Sequence, residues 1–148
     1  MIVVDSNTVI SCFKDKKSLP IGTLVAPDDL IDEYLIAQTR HGENIPGVQL
    51  ASNLSGYDDA YYLQQYSHYL NSYKDVSFVQ MRGFADISIL ALVKCLVNDF
   101  GKRADQLTLD LGDNNLDKLT VVTDDGELRT KLSSEFSDQI NIIGYSDF

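Results

Sequence analysis

The sequence predicts an α/β fold: one domain over residues 1–148, with a central, mostly parallel sheet flanked by helices. Three observations lead there. Short apolar runs with little alternation recur along the chain, as expected for strands buried on both faces. Segments with apolar residues at helical spacing separate those runs. Strands that alternate with helices connect most simply as parallel neighbours.

Taken in order, Ile2-Val3-Val4 is the first run and stops at Asp5. Thr8, Val9, Cys12 and Phe13 then follow at helical spacing, and residues 14–20 read as a polar loop. Residues 22–26 form a second strand candidate, closed by Pro27. Pro27 with Asp28 and Asp29 makes a good helix opening, because proline suits the first turn and carboxylates there face the positive end of the helix dipole. Leu30, Ile31, Tyr34 and Leu35 would supply that helix's apolar face. Residues 42–57, rich in Gly, Asn, Ser and Pro, read as an irregular excursion.

Tyr62, Tyr66, Tyr69 and Tyr73 recur at helical steps. Core packing is the favoured reading of that stripe, ahead of a stacking surface for bases or a face for a homodimer. The clearest helix runs from about Ala85 to Phe100, with Gly101 as its C-cap. Residues 102–118 read as an added helix or flap. Residues 119–123 form a strand that ends in Asp124-Asp125-Gly126. Leu128 and Leu132 open a further helix, and residues 140–143 form the last strand.

Composition narrows the class. A chain of 148 residues with 44% hydrophobic content is large enough to bury a core without disulfides or structural metal. Cys12 and Cys95 sit in apolar segments at no metal-ligand spacing and read as small core hydrophobes of a reduced compartment. The start carries no basic leader, and no apolar stretch approaches the ~18 residues that span a bilayer, so a cytoplasmic protein with no membrane segment is expected. The formal net charge of -10 weighs against nucleic-acid binding, although bound divalent cations reverse the sign locally.

Ligands of such sheets bind beyond the carboxyl ends of the strands. Two strand candidates end there in carboxylates, at Asp5 and at Asp124-Asp125. Each aspartate alone is equally well explained as a helix N-cap. Two together lean towards a site. Asp86 opens the long helix, where a first-turn charge also suits the dipole, and Glu33 alone reads equally as a solvated glutamate.

The joint order of these pieces resembles the PIN-domain family of metal-dependent ribonucleases. The pieces are Val3-Val4-Asp5-Ser6-Asn7-Thr8, Pro27 with Glu33 six residues on, Asp86-Ile87-Ser88-Ile89, and Val121-Val122-Thr123-Asp124-Asp125. The resemblance implies a PIN-like fold and an endoribonuclease whose catalytic acids are Asp5, Glu33, Asp86 and Asp125. It implies Mg²⁺ or Mn²⁺ held by those acids, with Asp124 as the other candidate for the fourth position. Oxygen-only ligation suits these cations. Ser6, Asn7 and Thr123 are the implied supporting hydrogen-bonders. RNA is the implied substrate, cut to leave a 3′-hydroxyl and a 5′-phosphate. One common role in the family is the toxin of a toxin–antitoxin pair, whose antitoxin covers the acidic pocket with a basic residue. Lys14, Lys16, Lys17 and Arg82 are candidate phosphate contacts.

The chain departs from the family pattern in two places. Asp86 and Asp125 are 39 positions apart, wider than in compact family members, and residues 41–80 carry no motif match. The main alternative is a PIN-like RNA- or protein-binding module without catalysis. A haloacid-dehalogenase-like phosphatase wants a second Asp where Asn7 stands. A receiver domain lacks its central Asp and late Lys here.

Overall fold

The computed structural model describes residues 1–17, 24–30, 32, 48–73, 83–110 and 118–148, and among them five strands form one sheet in which every neighbouring pair is parallel. The elements are β1 (Ile2–Val4), α1 (Ser6–Asp15), β2 (Leu24–Ala26), β3 (Val48–Leu50), α2 (Asp59–Tyr73), α3 (Gly83–Asp110), β4 (Leu119–Val122), α4 (Gly126–Phe136) and β5 (Ile140–Ile143). The strand order is β3-β2-β1-β4-β5, so the chain winds outward from β1 in one direction and then returns to its other side. The reversal falls between β1 and β4, which pair in register as Ile2 with Thr120, Val3 with Val121 and Val4 with Val122. In an open parallel sheet that junction is where a crevice opens at the carboxyl ends of the strands.

Side-chain alternation along the strands divides the core between two faces. Val3, Leu119 and Val121 pack with residues of α2, α3 and α4, among them Tyr69, Leu90, Leu92, Leu128 and Phe136. Val4 and Val122 point the other way, onto Val9 and Cys12 of α1. The sheet is thus covered on both faces, as its apolar strands require. Both cysteines are free and buried. Tyr62 and Tyr69 are buried in the larger core and Tyr66 and Tyr73 pack against it partly buried, so the whole tyrosine stripe serves packing.

Two local expectations need correction, and a third, the helix after Pro27, lies mostly outside the described residues. Within the expected irregular excursion, residues 48–50 form β3 and pair with β2, Leu24 opposite Val48. Three residues carry too little alternation to signal a strand on their own, and pairing with β2 specifies them. The long helix does not end at Gly101 but continues to Asp110. Lys102, Arg103, Ala104 and Gln106 favour helix strongly enough to carry the chain past a glycine that costs about 1 kcal/mol. The segment expected as an added helix or flap is therefore, up to residue 110, a continuation of α3. After Pro27 the described backbone is a short 3₁₀ turn, Asp28–Leu30. Asp32 is helical, while Ile31, Glu33, Tyr34 and Leu35 lie outside the described residues. No helix among the described residues is long and apolar enough to cross a membrane.

Candidate functional site

Asp5 follows directly on β1 and is the N-cap of α1. It is 95% buried by the elements that meet there, with only 5% of its surface exposed. One carboxylate oxygen accepts the Thr8 N–H at 2.6 Å, and the other accepts the Thr123 hydroxyl. Thr8 also donates its own hydroxyl to the Val122 carbonyl at 3.1 Å, and the Asp5 N–H reaches the same carbonyl at 3.4 Å. The first turn of α1 is therefore fastened to the end of β4 by groups that also orient the Asp5 carboxylate.

Thr123 is fully buried and joins the two strand ends. While its hydroxyl donates to Asp5, its oxygen accepts the Asp125 N–H at 3.1 Å. Asp125 is the N-cap of α4, and one of its carboxylate oxygens accepts the N–H groups of Glu127 and Leu128, each at 2.9 Å. Both strand-end aspartates are thus helix caps as well as neighbours across one threonine. Capping and site formation coexist, since a carboxylate retains lone pairs after accepting one or two hydrogen bonds.

Asp86, in the first turn of α3, lies within electrostatic reach of these two aspartates. Burial, then the carboxylate of Asp125, push its carboxyl up to about 7, and Asp5 and Glu127 add to the rise while Lys131 opposes it. Three acids that lie far apart in sequence therefore share one electrostatic field. Lys131 also pairs with Glu127 at 3.0 Å and lies 5.0 Å from the Tyr73 ring centre.

A second set of bonds holds this end of α3. Ser88 donates to Asp29 of the turn after β2, and Tyr62 of α2 donates to the other oxygen of the same carboxylate at 2.7 Å. Ser88 stands two residues after Asp86, so the bond ties the start of α3 to the carboxyl edge of the sheet.

The other sequence candidates are placed as follows. Asp124 is exposed and accepts the Tyr145 N–H at 2.9 Å, in the turn after β5. The hydroxyl oxygen of Ser6 is buried and has no hydrogen-bond partner among the described residues. Asn7 is exposed. Lys14 and Lys16 are exposed at the far end of α1, roughly 15 Å of helix from Asp5. Lys17 instead packs over the rings of Tyr145 and Phe148, at 4.9 and 5.3 Å. Glu33 and Arg82 lie outside the described residues. Sequence reasoning missed Thr8, Ser88, Asp29 and Lys131. A Thr at the third position after a capping Asp was the one available signal, and it was absorbed into the apolar face of α1.

The donor chemistry suits a hard divalent cation: oxygen ligands only, with mutual repulsion for the cation to relieve. It is not a closed cage, for among the described residues no three acidic, histidine or cysteine side chains are arranged to hold a metal ion as they stand. Comparison with family models, with curated proteins and with solved structures finds no match to this chain.

Proposed function

We propose that this chain is a divalent-metal-dependent endoribonuclease whose acidic centre comprises Asp5, Asp86 and Asp125, with Glu33 as the fourth carboxylate. The observation that supports the reading is the Thr123 hydroxyl, which ties the Asp5 carboxylate to the Asp125 backbone N–H and so joins the two acid-bearing strand ends at the reversal point of a parallel sheet. Asp124 is directed to the turn at Tyr145, which favours Asp125 over Asp124 as the acid contributed by the end of β4.

These carboxylates would hold Mg²⁺ or Mn²⁺, which when bound would supply charge neutralisation and water activation for phosphodiester hydrolysis. The chain's own residues do the rest. Thr8 and Thr123 hold Asp5 in one orientation, so little reorganisation accompanies cation binding. The Asp86 carboxyl, which burial and then the Asp125 charge keep protonated up to near-neutral pH, would be the group to release a proton on binding a cation. Lys131 places a positive charge within electrostatic reach of Asp86, beside its pair Glu127, and is a candidate for steadying a phosphate.

A second reading has an observation of its own. Asp5 and Asp125 are both satisfied as helix caps, and the protein's net charge is -10, which suits a binding module that does no chemistry. In a toxin–antitoxin setting, a protein partner with a basic side chain would cover the same acidic centre. Incubating the protein with a mixed RNA panel and Mg²⁺ or Mn²⁺, beside EDTA and Asp5→Asn controls, separates the two. Metal-dependent cutting that vanishes in Asp5→Asn is the expected result. A panel left intact under every condition would favour the binding module.

A further inference from the structure

A cavity of about 300 Å³ opens at the opposite end of β1 from Asp5. Met1, which precedes β1, forms part of its wall with Leu54 and Leu96. The phenol rings of Tyr57 and Tyr61 add aromatic surface. Asp58 and Asp99 contribute carboxylates, and no lysine, arginine or histidine is among the described residues that line it. Asp99 lies thirteen residues beyond Asp86 on α3, roughly 20 Å along the helix, so the cavity and the acidic centre occupy different ends of the molecule.

The volume lies at the lower end of the range for small-molecule pockets, about 300–1,000 Å³. Its make-up is directional. Apolar and aromatic walls favour a ligand with a hydrocarbon or ring body, while carboxylates and aromatic faces both favour a positive charge. One oxygen of Asp58 accepts the Tyr61 N–H at 3.0 Å, which fixes the carboxylate at the mouth of α2, and among the described residues its second oxygen is open to a ligand's ammonium. Cys95, which also lines the cavity, is pushed up to about 12 by burial and by the charge of Asp58, which lies within electrostatic reach of it.

We propose that this cavity is a binding site for a small organic cation with an apolar or aromatic body, such as a primary arylalkylamine, held by Asp58 and the rings of Tyr57 and Tyr61. It is independent of whether the chain cleaves RNA.

The test is calorimetric titration of the whole protein with phenethylammonium, with hydrocinnamate (similar in shape, opposite in charge) and with methylammonium (charge without the ring). Phenethylammonium is expected to bind saturably. Methylammonium is expected to bind at least about tenfold more weakly and hydrocinnamate not at all. In Asp58→Asn, whose side-chain oxygen still caps Tyr61, phenethylammonium affinity is expected to fall about tenfold. Equal binding of hydrocinnamate, equal binding of methylammonium, an unchanged Asp58→Asn titration, or no saturable heat would each overturn the proposal. Should Asp58→Asn fail to fold, the comparison of the three ligands on the unaltered protein still decides.

Discussion

At the residue scale, the Thr123 hydroxyl serves Asp5 as a donor and the Asp125 N–H as an acceptor, in a fully buried position. Thr123→Val keeps the shape and removes both bonds, which leaves buried polar groups unsatisfied. The expected loss is about 2–3 kcal/mol in urea denaturation, with Thr123→Ser losing only about 1 kcal/mol. Asp86 gives a pH signature. Its carboxyl rises from 3.8 to about 7 on folding, so between those values the folded protein binds the extra proton. Stability from this group is therefore complete below the unfolded value and declines as pH rises through the folded one. In metal-free buffer the melting temperature is expected to fall between about pH 4 and pH 7, by the equivalent of roughly 1–2 kcal/mol after solvent screening, and Asp86→Asn is expected to flatten that slope. A slope unchanged in Asp86→Asn would mean that other groups carry it. The two strand-end acids and Thr123 were legible in the sequence because a buried strand that ends in a carboxylate is a local signal. Thr8, Ser88 and Asp29 were not, because each acts through a partner distant in the chain or hidden within a helical pattern.

At the element scale, β1, β4, β5, α1 and α4 follow from runs and spacing that can be read directly, and the structure places them close to the expected bounds. The exceptions share one cause. β3 and the extension of α3 past Gly101 depend on what lies beside them or on summed propensity rather than on a boundary residue. The bond from Ser88 to Asp29 is the device that sets the start of α3 against the sheet edge. Ser88→Ala is expected to cost about 1–3 kcal/mol and to speed hydrogen exchange in the first turn of α3 more than elsewhere in that helix. The end of α1 offers the opposite effect. Lys16 holds a left-handed conformation, φ 51°, where a side chain is strained. Lys16→Gly is expected to stabilise the protein by about 0.5–1 kcal/mol in the same denaturation experiment.

At the scale of the whole molecule, helices cover both faces of a five-stranded parallel sheet, and that arrangement leaves the carboxyl edge between β1 and β4 as the natural place for chemistry. The overall charge of -10 then has a consequence for RNA. A basic nuclease loses affinity as salt rises, whereas here long-range repulsion is what salt screens. Raising KCl from about 20 to about 150 mM at fixed Mg²⁺ is expected to leave kcat/KM unchanged or to increase it. The claim beneath all of this is that Asp5, Asp86 and Asp125 act as one cation-binding centre. Calorimetric titration of Mn²⁺ into the unaltered protein and into Asp5→Asn, each confirmed as folded by circular dichroism, addresses it directly. Saturable binding that weakens at least about tenfold in Asp5→Asn is the expected result. Equal binding by both proteins, or none by either, would contradict the centre.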